Sequence, residues 1–455
     1  MNEIQLKALQ CFEAAAKAQS DDARSRIAEI LMRNRVGYDF FAAASESVRE
    51  RARVVIHFHP DRLDQFKKTV IESLLEKGYV TNQFETGISG GSLTPFSGGP
   101  RDKWEERLFG GVYQKPGVRA ADRPKYGALD LMNFSDGAAP RFGSCYFRLG
   151  KDVLKRCTFT NKDSVFEPDI FGTVMHPDAL LEHLLLRAET ETSVLGIEHP
   201  CVNGLLKRFS CLSDNRVAFS SSFGRTLDDY VEAQIHGPIQ LRTDVDRLVA
   251  DPSFMGTEIE TAMRSLCQKY AIEMDWHAGF SVSCDKVPAE FRGPRIPVLA
   301  GRVAENGKLT ASIIGKAAFS LAMNPEFWHD WAPFPETLQH IKQLWHVLAH
   351  FGEPLIRKPA LIDAVIAIVE KEICRLSEIE KTPEETHPST FDRNDLPLLQ
   401  MILEVLESAR SQETSKIDLN GKPRSFLLEL FDEHARELPD FCRDIGRSVL
   451  NELCE

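Results

Sequence analysis

Val54-Val55-Ile56-His57-Phe58-His59-Pro60-Asp61-Arg62 is the stretch on which the reading of this chain turns. A β-branched and aromatic run of this kind favours a strand. Pro60 cannot donate to a ladder and so ends it, leaving His59, Asp61 and Arg62 clustered at the strand's end. The residues that follow, Leu63 to Lys77, carry apolar side chains at helical spacing and stop at Gly78, which predicts a helix with a glycine cap. Strand, polar cluster and helix together make a unit that presents chemistry at a strand end.

On the N-terminal side, residues 1 to about 50 predict two helices, with Ile4, Leu6, Leu9 and Phe12, then Ile27, Ile30 and Leu31, at helical spacing. On the C-terminal side, from about 53 to 300, short β-branched runs alternate with loops rich in glycine, densest at Gly87–Gly99 and Asp136–Gly143. Strands are expected at Cys145–Leu149, Thr158–Thr160 and Tyr230–Ile235, and helices at Pro177–Leu186 and Thr257–Tyr270. From about 335 the pattern turns helical, with Leu338, Ile341, Leu344, Trp345 and Leu348, and later Leu361–Leu376. Glu380–Asn394 predicts an exposed linker. The organisation expected is α+β: a helical segment 1–50, a mixed domain 51–300 and a helical domain 301–455.

The chain has 455 residues, 43% of them hydrophobic, enough for a large core in two or three domains. A net charge of -12 argues against a protein that coats nucleic-acid backbone, while leaving room for a local basic groove. The ten cysteines include no CxxC pair, so a structural zinc site is not expected and reduced thiols are. The N-terminus lacks a signal-like charged and apolar sequence, and no apolar run of membrane-spanning length occurs. A cytoplasmic protein without a membrane partner is expected.

Three ordered blocks could carry chemistry. The first is the strand end, with His57, His59 and Arg62. The second contains Tyr126-Gly127, then Gly143-Ser144-Cys145-Tyr146-Phe147-Arg148-Leu149, then Arg156-Cys157-Thr158-Phe159-Thr160 followed by Asp163-Ser164. There the alternating hydroxyls of Thr158 and Thr160 share one strand face. The third, Tyr230-Val231-Glu232-Ala233-Gln234-Ile235-His236, sets Glu232 among apolar neighbours with Gln234 and His236 on its own face. In order and spacing these blocks resemble the ADP-ribosyltransferase fold, a split β-sheet that binds and cleaves NAD. Pro60-Asp61 departs from that family's Gly-Ser/Thr, and Tyr230 stands where arginine-specific toxins carry Gln or Glu.

The resemblance implies that His57, His59 and Arg62 hold the ribose or a phosphate. It implies that Tyr126, Gly127, Thr158, Thr160 and Gln234 contribute to the NAD pocket, and that Glu232 is catalytic. A carboxylate there stabilises the oxocarbenium-like ribose as nicotinamide leaves. ADP-ribose would then pass to a protein, a nucleic acid or water, in a toxin, effector or defence setting. Gln83–Ser92 occupies the region that covers nicotinamide in this fold. Over most of its length the chain also resembles a bacterial family known only as a domain of unknown function.

Two other readings start from the same residues. His57-x-His59 with Asp61 at a strand end spells the opening of a metal-dependent hydrolase site. A non-catalytic interaction protein, with a degenerate NAD pocket and a partner docked on the C-terminal helices, is the third. Arg101–Arg107 reads as a solvated helix face, and Trp345, His346 and His350 as core packing.

Overall fold

β1 (Arg53–Phe58) forms where its β-branched run predicts, and the sheet grows on both of its edges. The computed structural model describes residues 1–87, 95–212, 224–355 and 395–412, with 365, 366, 368–370, 372, 373, 376, 427 and 430. Residues 88–92 of the Gly/Ser-rich loop, the linker at Glu380–Asn394 and much of Leu361–Leu376 lie outside the described residues.

The other strands are β2 (Lys125–Asp130), β3 (Cys145–Leu149), β4 (Cys157–Thr160), β5 (Phe171–Thr173), β6 (Val231–Ile235), β7 (Val245–Ala250) and β8 (Glu273–Trp276). They make one mixed sheet in the order β8-β7-β3-β1-β2-β6-β4-β5. Neighbours run antiparallel except β7 and β8, which run parallel.

Register sorts the side chains into two faces. Val54, Ile56, Phe147, Val231, Ala233 and Phe159 point into the main apolar core. The opposite face carries Val55 and His57, paired across to Arg148 and Tyr146, and then Tyr126 with Gln234 and Ala128 with Glu232. Thr158 and Thr160 extend that polar face beyond β6. This period of two is what makes a strand show chemistry on one side and bury hydrocarbon on the other.

The β1–β2 ladder is short. It pairs Arg53–Val55 with Ala128–Asp130 and ends there. β1 continues to Phe58 along β3, while β2 leads back to Lys125 along β6. The sheet is therefore opened between its two central strands. Gly127 sits at the fork, where an added Cβ would fall 2.4 Å from the Val55 carbonyl oxygen. Only a residue without a side chain allows that approach.

Helices pack around the sheet. α1 (Glu3–Arg33) and α2 (Tyr38–Arg51) fill the N-terminal segment, the first opened by an Asn2 capping box. α3 (Val70–Lys77) is shorter than the sequence predicts. Asp64 accepts hydrogen bonds from the Phe66 and Lys68 amides, 2.8 and 3.1 Å, and so holds 63–69 as a loop that a Thr69 capping box closes. A short polar side chain has here outcompeted the helical pattern. α4 (Pro100–Phe109), α5 (Asp178–Thr190), α6 (Val202–Ser210) and α7 (Glu258–Tyr270) follow.

Position 300 falls inside α8 (Arg295–Val303). Beyond it come α9 (Ala311–Met323), α10 (Phe334–Phe351) and α11 (Leu396–Gln412). Residues 308 and 309 pair as a strand with 282 and 283, and Leu344, Trp345 and Leu348 join the same apolar cluster as β1. Among the described residues no helix is long and apolar enough to cross a membrane.

Candidate functional site

A cavity of about 290 Å³ opens in the fork between β1 and β2. It lies close to the lower end of the range usual for small-molecule sites, roughly 300–1,000 Å³. His57, His59, Arg62, Tyr126, Gly127 and Glu232 all line it, although they come from segments as far apart as residues 57 and 232. Thr158, Thr160 and Gln234 stand outside the lining. Thr158 and Thr160 belong to β4, on the far side of β6 from the fork, and Gln234 lies further along β6 than Glu232.

Those three residues act on Glu232 instead of facing the cavity. Gln234 Nε2 donates to Glu232 Oε1 at 2.9 Å and to Thr160 Oγ1 at 3.2 Å, and Thr158 Oγ1 donates to Gln234 Oε1 at 2.8 Å. His236 continues the chain behind them, with Nε2 3.3 Å from Thr158 Oγ1 and Nδ1 2.7 Å from the Tyr113 hydroxyl. On its other side the Glu232 carboxylate accepts from the Ser164 hydroxyl and, at 3.3 Å, from the Ser164 amide. Burial first, and the Asp163 carboxylate second, push Glu232 well above the ordinary carboxylate range, and the Ser164 and Gln234 hydrogen bonds oppose that rise. Asp163 also lines the cavity and accepts from the Tyr230 hydroxyl at 2.8 Å.

His57 and His59 have different fates. His57 Nδ1 donates to the Gly143 carbonyl at 3.1 Å and Nε2 accepts from the Ala139 amide at 3.2 Å, so both nitrogens are spent on the loop before β3. Burial lowers its pKa to about 3, which keeps the ring neutral and fits that donor–acceptor pairing. Neither nitrogen is left for a metal, and among the described residues no group of three His, Cys, Asp or Glu side chains is placed to hold one. The metal-centre reading thus loses its leading ligand. His59 makes no hydrogen bond through its ring among the described residues. Its ring meets the edge of Trp345 at 4.9 Å and borders the cavity.

Cations gather on the same side. Arg62 and Arg101 line the cavity, and Lys342 of α10 lies close to both. Burial, then Arg62 and Arg101, bring Lys342 down to about 7; burial, then Arg62 and Lys342, bring His59 down to about 3. Cations gathered on one side of a cavity raise the positive potential there.

The helix read as a solvated face is a wall of the site. Arg101 and Trp104 of α4 line the cavity, and Glu105 is fully buried. Tyr126 donates to Glu105 Oε1 at 3.2 Å and Arg123 to Oε2 at 2.7 Å, while Arg123 also pairs with Asp102 at 2.6 Å. Burial raises Glu105 to about 7 despite Arg123. Arg123 and Tyr126 lie some twenty residues further on, so helical spacing alone gives no signal of this partnership. Lys125, Arg141 and Phe142 also line the cavity without having been singled out in sequence. Trp345 is core, as its spacing implies, and Nε1 additionally donates to the Pro140 and Arg141 carbonyls at 3.0 and 3.2 Å.

Comparison with known proteins shows similarity to a phage protein and to a family model. The Gene 2 protein of Mycobacterium phage D29 is 27% identical over 180 residues, 39% of this chain and 60% of the phage protein. The match therefore spans less than two thirds of that relative's length. A family model described as "Protein of unknown function (DUF3626)" matches residues 53–351. That span begins with β1, ends with α10 and holds every residue lining the cavity. The chain belongs to the DUF3626 family.

Proposed function

We propose that this protein cleaves NAD at the nicotinamide–ribose bond and passes ADP-ribose to an acceptor, in an ADP-ribosyltransferase-like site built on the split between β1 and β2. The observation that carries the reading is the meeting of the β1 end, Tyr126 and Glu232 on one cavity in that fork. Each was singled out for this chemistry from a separate block of sequence.

The residues present fit the substrate. Arg62, Arg101 and nearby Lys342 suit a diphosphate, and the His59 ring, which makes no hydrogen bond among the described residues, suits a ribose hydroxyl. Tyr126, held by Glu105, offers an aromatic wall. In the reaction the C1′–N bond breaks and its electron pair leaves with neutral nicotinamide. Glu232 stabilises the positive charge that develops on the ribose. A lone pair of the acceptor or of water then bonds to C1′, and its proton passes to the Asp163 carboxylate or to solvent. The direct test is whether the purified protein releases nicotinamide from NAD and adds the mass of ADP-ribose to an acceptor.

Two further outcomes follow from the geometry. Gln234→Leu removes a donor to Glu232 without entering the cavity, so kcat should fall roughly 10- to 100-fold, the scale of a hydrogen bond to a charged group, with KM held. A comparable rise in KM instead would place Gln234 in binding. The second outcome concerns pH. The reaction needs ionised Glu232, so nicotinamide release should climb with pH along a limb displaced upward from the ordinary carboxylate range. Asp163→Asn removes a repelling charge and should move that limb to lower pH. Ser164→Ala removes donors that stabilise the ionised form and should move it higher. Shifts in the same direction, or none, would assign the limb to another group.

A further inference from the structure

One whole face of α3 borders the cavity. Val70, Ser73, Leu74 and Lys77 stand at helical spacing and all four line it, joined by Tyr79 and Val80 of the short strand that follows. The helix is tied to the end of β1, because the Val70 amide donates to the Arg62 carbonyl at 2.9 Å and the Ile71 amide to the Pro60 carbonyl at 3.0 Å. This face therefore adjoins Arg62 on the β1 side of the fork, whereas Glu232 lies on β6, beyond β2.

Between Arg62 and the helix, the turn 64–68 sets a carboxylate on the same lining. Asp64 Oδ1 accepts from the Phe66 and Lys68 amides at 2.8 and 3.1 Å, and Oδ2 from the Ser73 hydroxyl at 2.6 Å. Lys67 closes the turn with a φ of 62°, a left-handed conformation that is costly for a residue with a side chain and persists because its surroundings fix it. Burial works to raise Asp64, but the hydrogen bonds from Ser73, Lys68 and Phe66, and then Lys77, outweigh it and hold the carboxylate below its ordinary range. Asp64 is only half-buried, and Oδ2 has room to accept one more hydrogen bond.

Three chemistries thus stand side by side: an apolar wall of Val70, Leu74 and Val80, the hydrogen-bonding pair Asp64 and Ser73, and the Arg62 guanidinium. A nucleoside 5′-phosphate has the matching parts in base, ribose hydroxyls and phosphate. A carboxylate fixed in this way accepts from a ribose 2′-hydroxyl and repels a phosphate attached in its place. We infer that Asp64 and this face of α3 form the adenosine subsite of the cavity, with Asp64 accepting from the 2′-hydroxyl and excluding nucleotides that carry a 2′-phosphate. The inference rests on the NAD-cleaving reading for the name of the nucleotide, and its consequence there is use of NAD in preference to its 2′-phosphorylated form.

The test titrates three nucleotides into the full chain by calorimetry, without NAD and at fixed ionic strength: adenosine 5′-monophosphate, its 2′-deoxy analogue and adenosine 2′,5′-bisphosphate. Asp64→Asn is the variant, since asparagine keeps an oxygen for the Phe66 and Lys68 amides and an amide group to meet Ser73, and thermal unfolding checks its fold. Expected is binding of the monophosphate at least tenfold tighter than of either analogue by the wild type, because a site built to hold a hydroxyl rejects a ligand that lacks it. In Asp64→Asn the gap to the bisphosphate should narrow at least tenfold. No binding of the monophosphate, or equal binding of it and the bisphosphate, overturns the inference in the wild type alone, whatever the variant does. Tighter binding of the bisphosphate also overturns it and gives the position to Lys77, and so does an unchanged gap in folded Asp64→Asn. Nicotinamide release that depends on Glu232, without discrimination among the three nucleotides, leaves NAD cleavage standing and this assignment fallen; discrimination without any release leaves the assignment standing and NAD cleavage fallen.

Discussion

Glu232→Gln should release nicotinamide from NAD roughly 10²-fold or more slowly than the wild type while remaining folded, the scale of losing one contact made to developing charge. Glutamine keeps the volume of the side chain and one oxygen, which at the Oε1 position still accepts from the Ser164 hydroxyl and from Gln234 while the longer bond from the Ser164 amide is lost, so the strand and the turn that follows Asp163 stay in place. Stability should hold at neutral pH, because burial already works against the charged form at this position. Thermal unfolding and NAD binding by titration separate that outcome from a misfolded variant. Equal release rates in the two proteins would remove Glu232 from the chemistry.

Gly143→Ala should be the most damaging of small substitutions. A Cβ there would lie 2.2 Å from the Phe58 carbonyl carbon and 2.4 Å from its nitrogen and oxygen, all of them backbone atoms in the last residue of β1. The conformation is extended and makes no demand for glycine; the neighbouring strand does. Gly143 also supplies the carbonyl that His57 holds. Relief requires β1 and the loop before β3 to part, which points to the upper end of overpacking costs, about 3 kcal/mol, and to loss of the cavity wall. A midpoint of unfolding lower by several degrees, together with lost ligand binding, is the expected result. An unfolding midpoint within a degree of wild type would show that the two segments are not in contact.

How much of this was legible depended on what kind of signal each part left. β1, β3, β4 and β6 could be read because buried strands concentrate β-branched and aromatic residues, and Glu232 stood out as a carboxylate among them. The fork could not be read, since it is a matter of where the β1–β2 ladder stops and rests on Gly127, one glycine among many. Glu105 was hidden for a different reason. Its segment, Arg101 to Arg107, carries alternating charge suited to solvent, and burial is imposed by Arg123 and Tyr126 from another part of the chain. The segment 63–69 misled through apolar spacing, where Asp64 decided the backbone locally. Thr158 and Thr160 were placed on the right face, yet their hydroxyls are used up inside the sheet.

Trp345 has a consequence for how this site can be inherited. A single indole grips the carbonyls of Pro140 and Arg141 and abuts His59, so a helix near position 345 closes a wall begun near position 57. A gene fusion or recombination event that carried off the strands alone would deliver an unwalled cleft. The site can therefore move between proteins only as a unit that includes this helix.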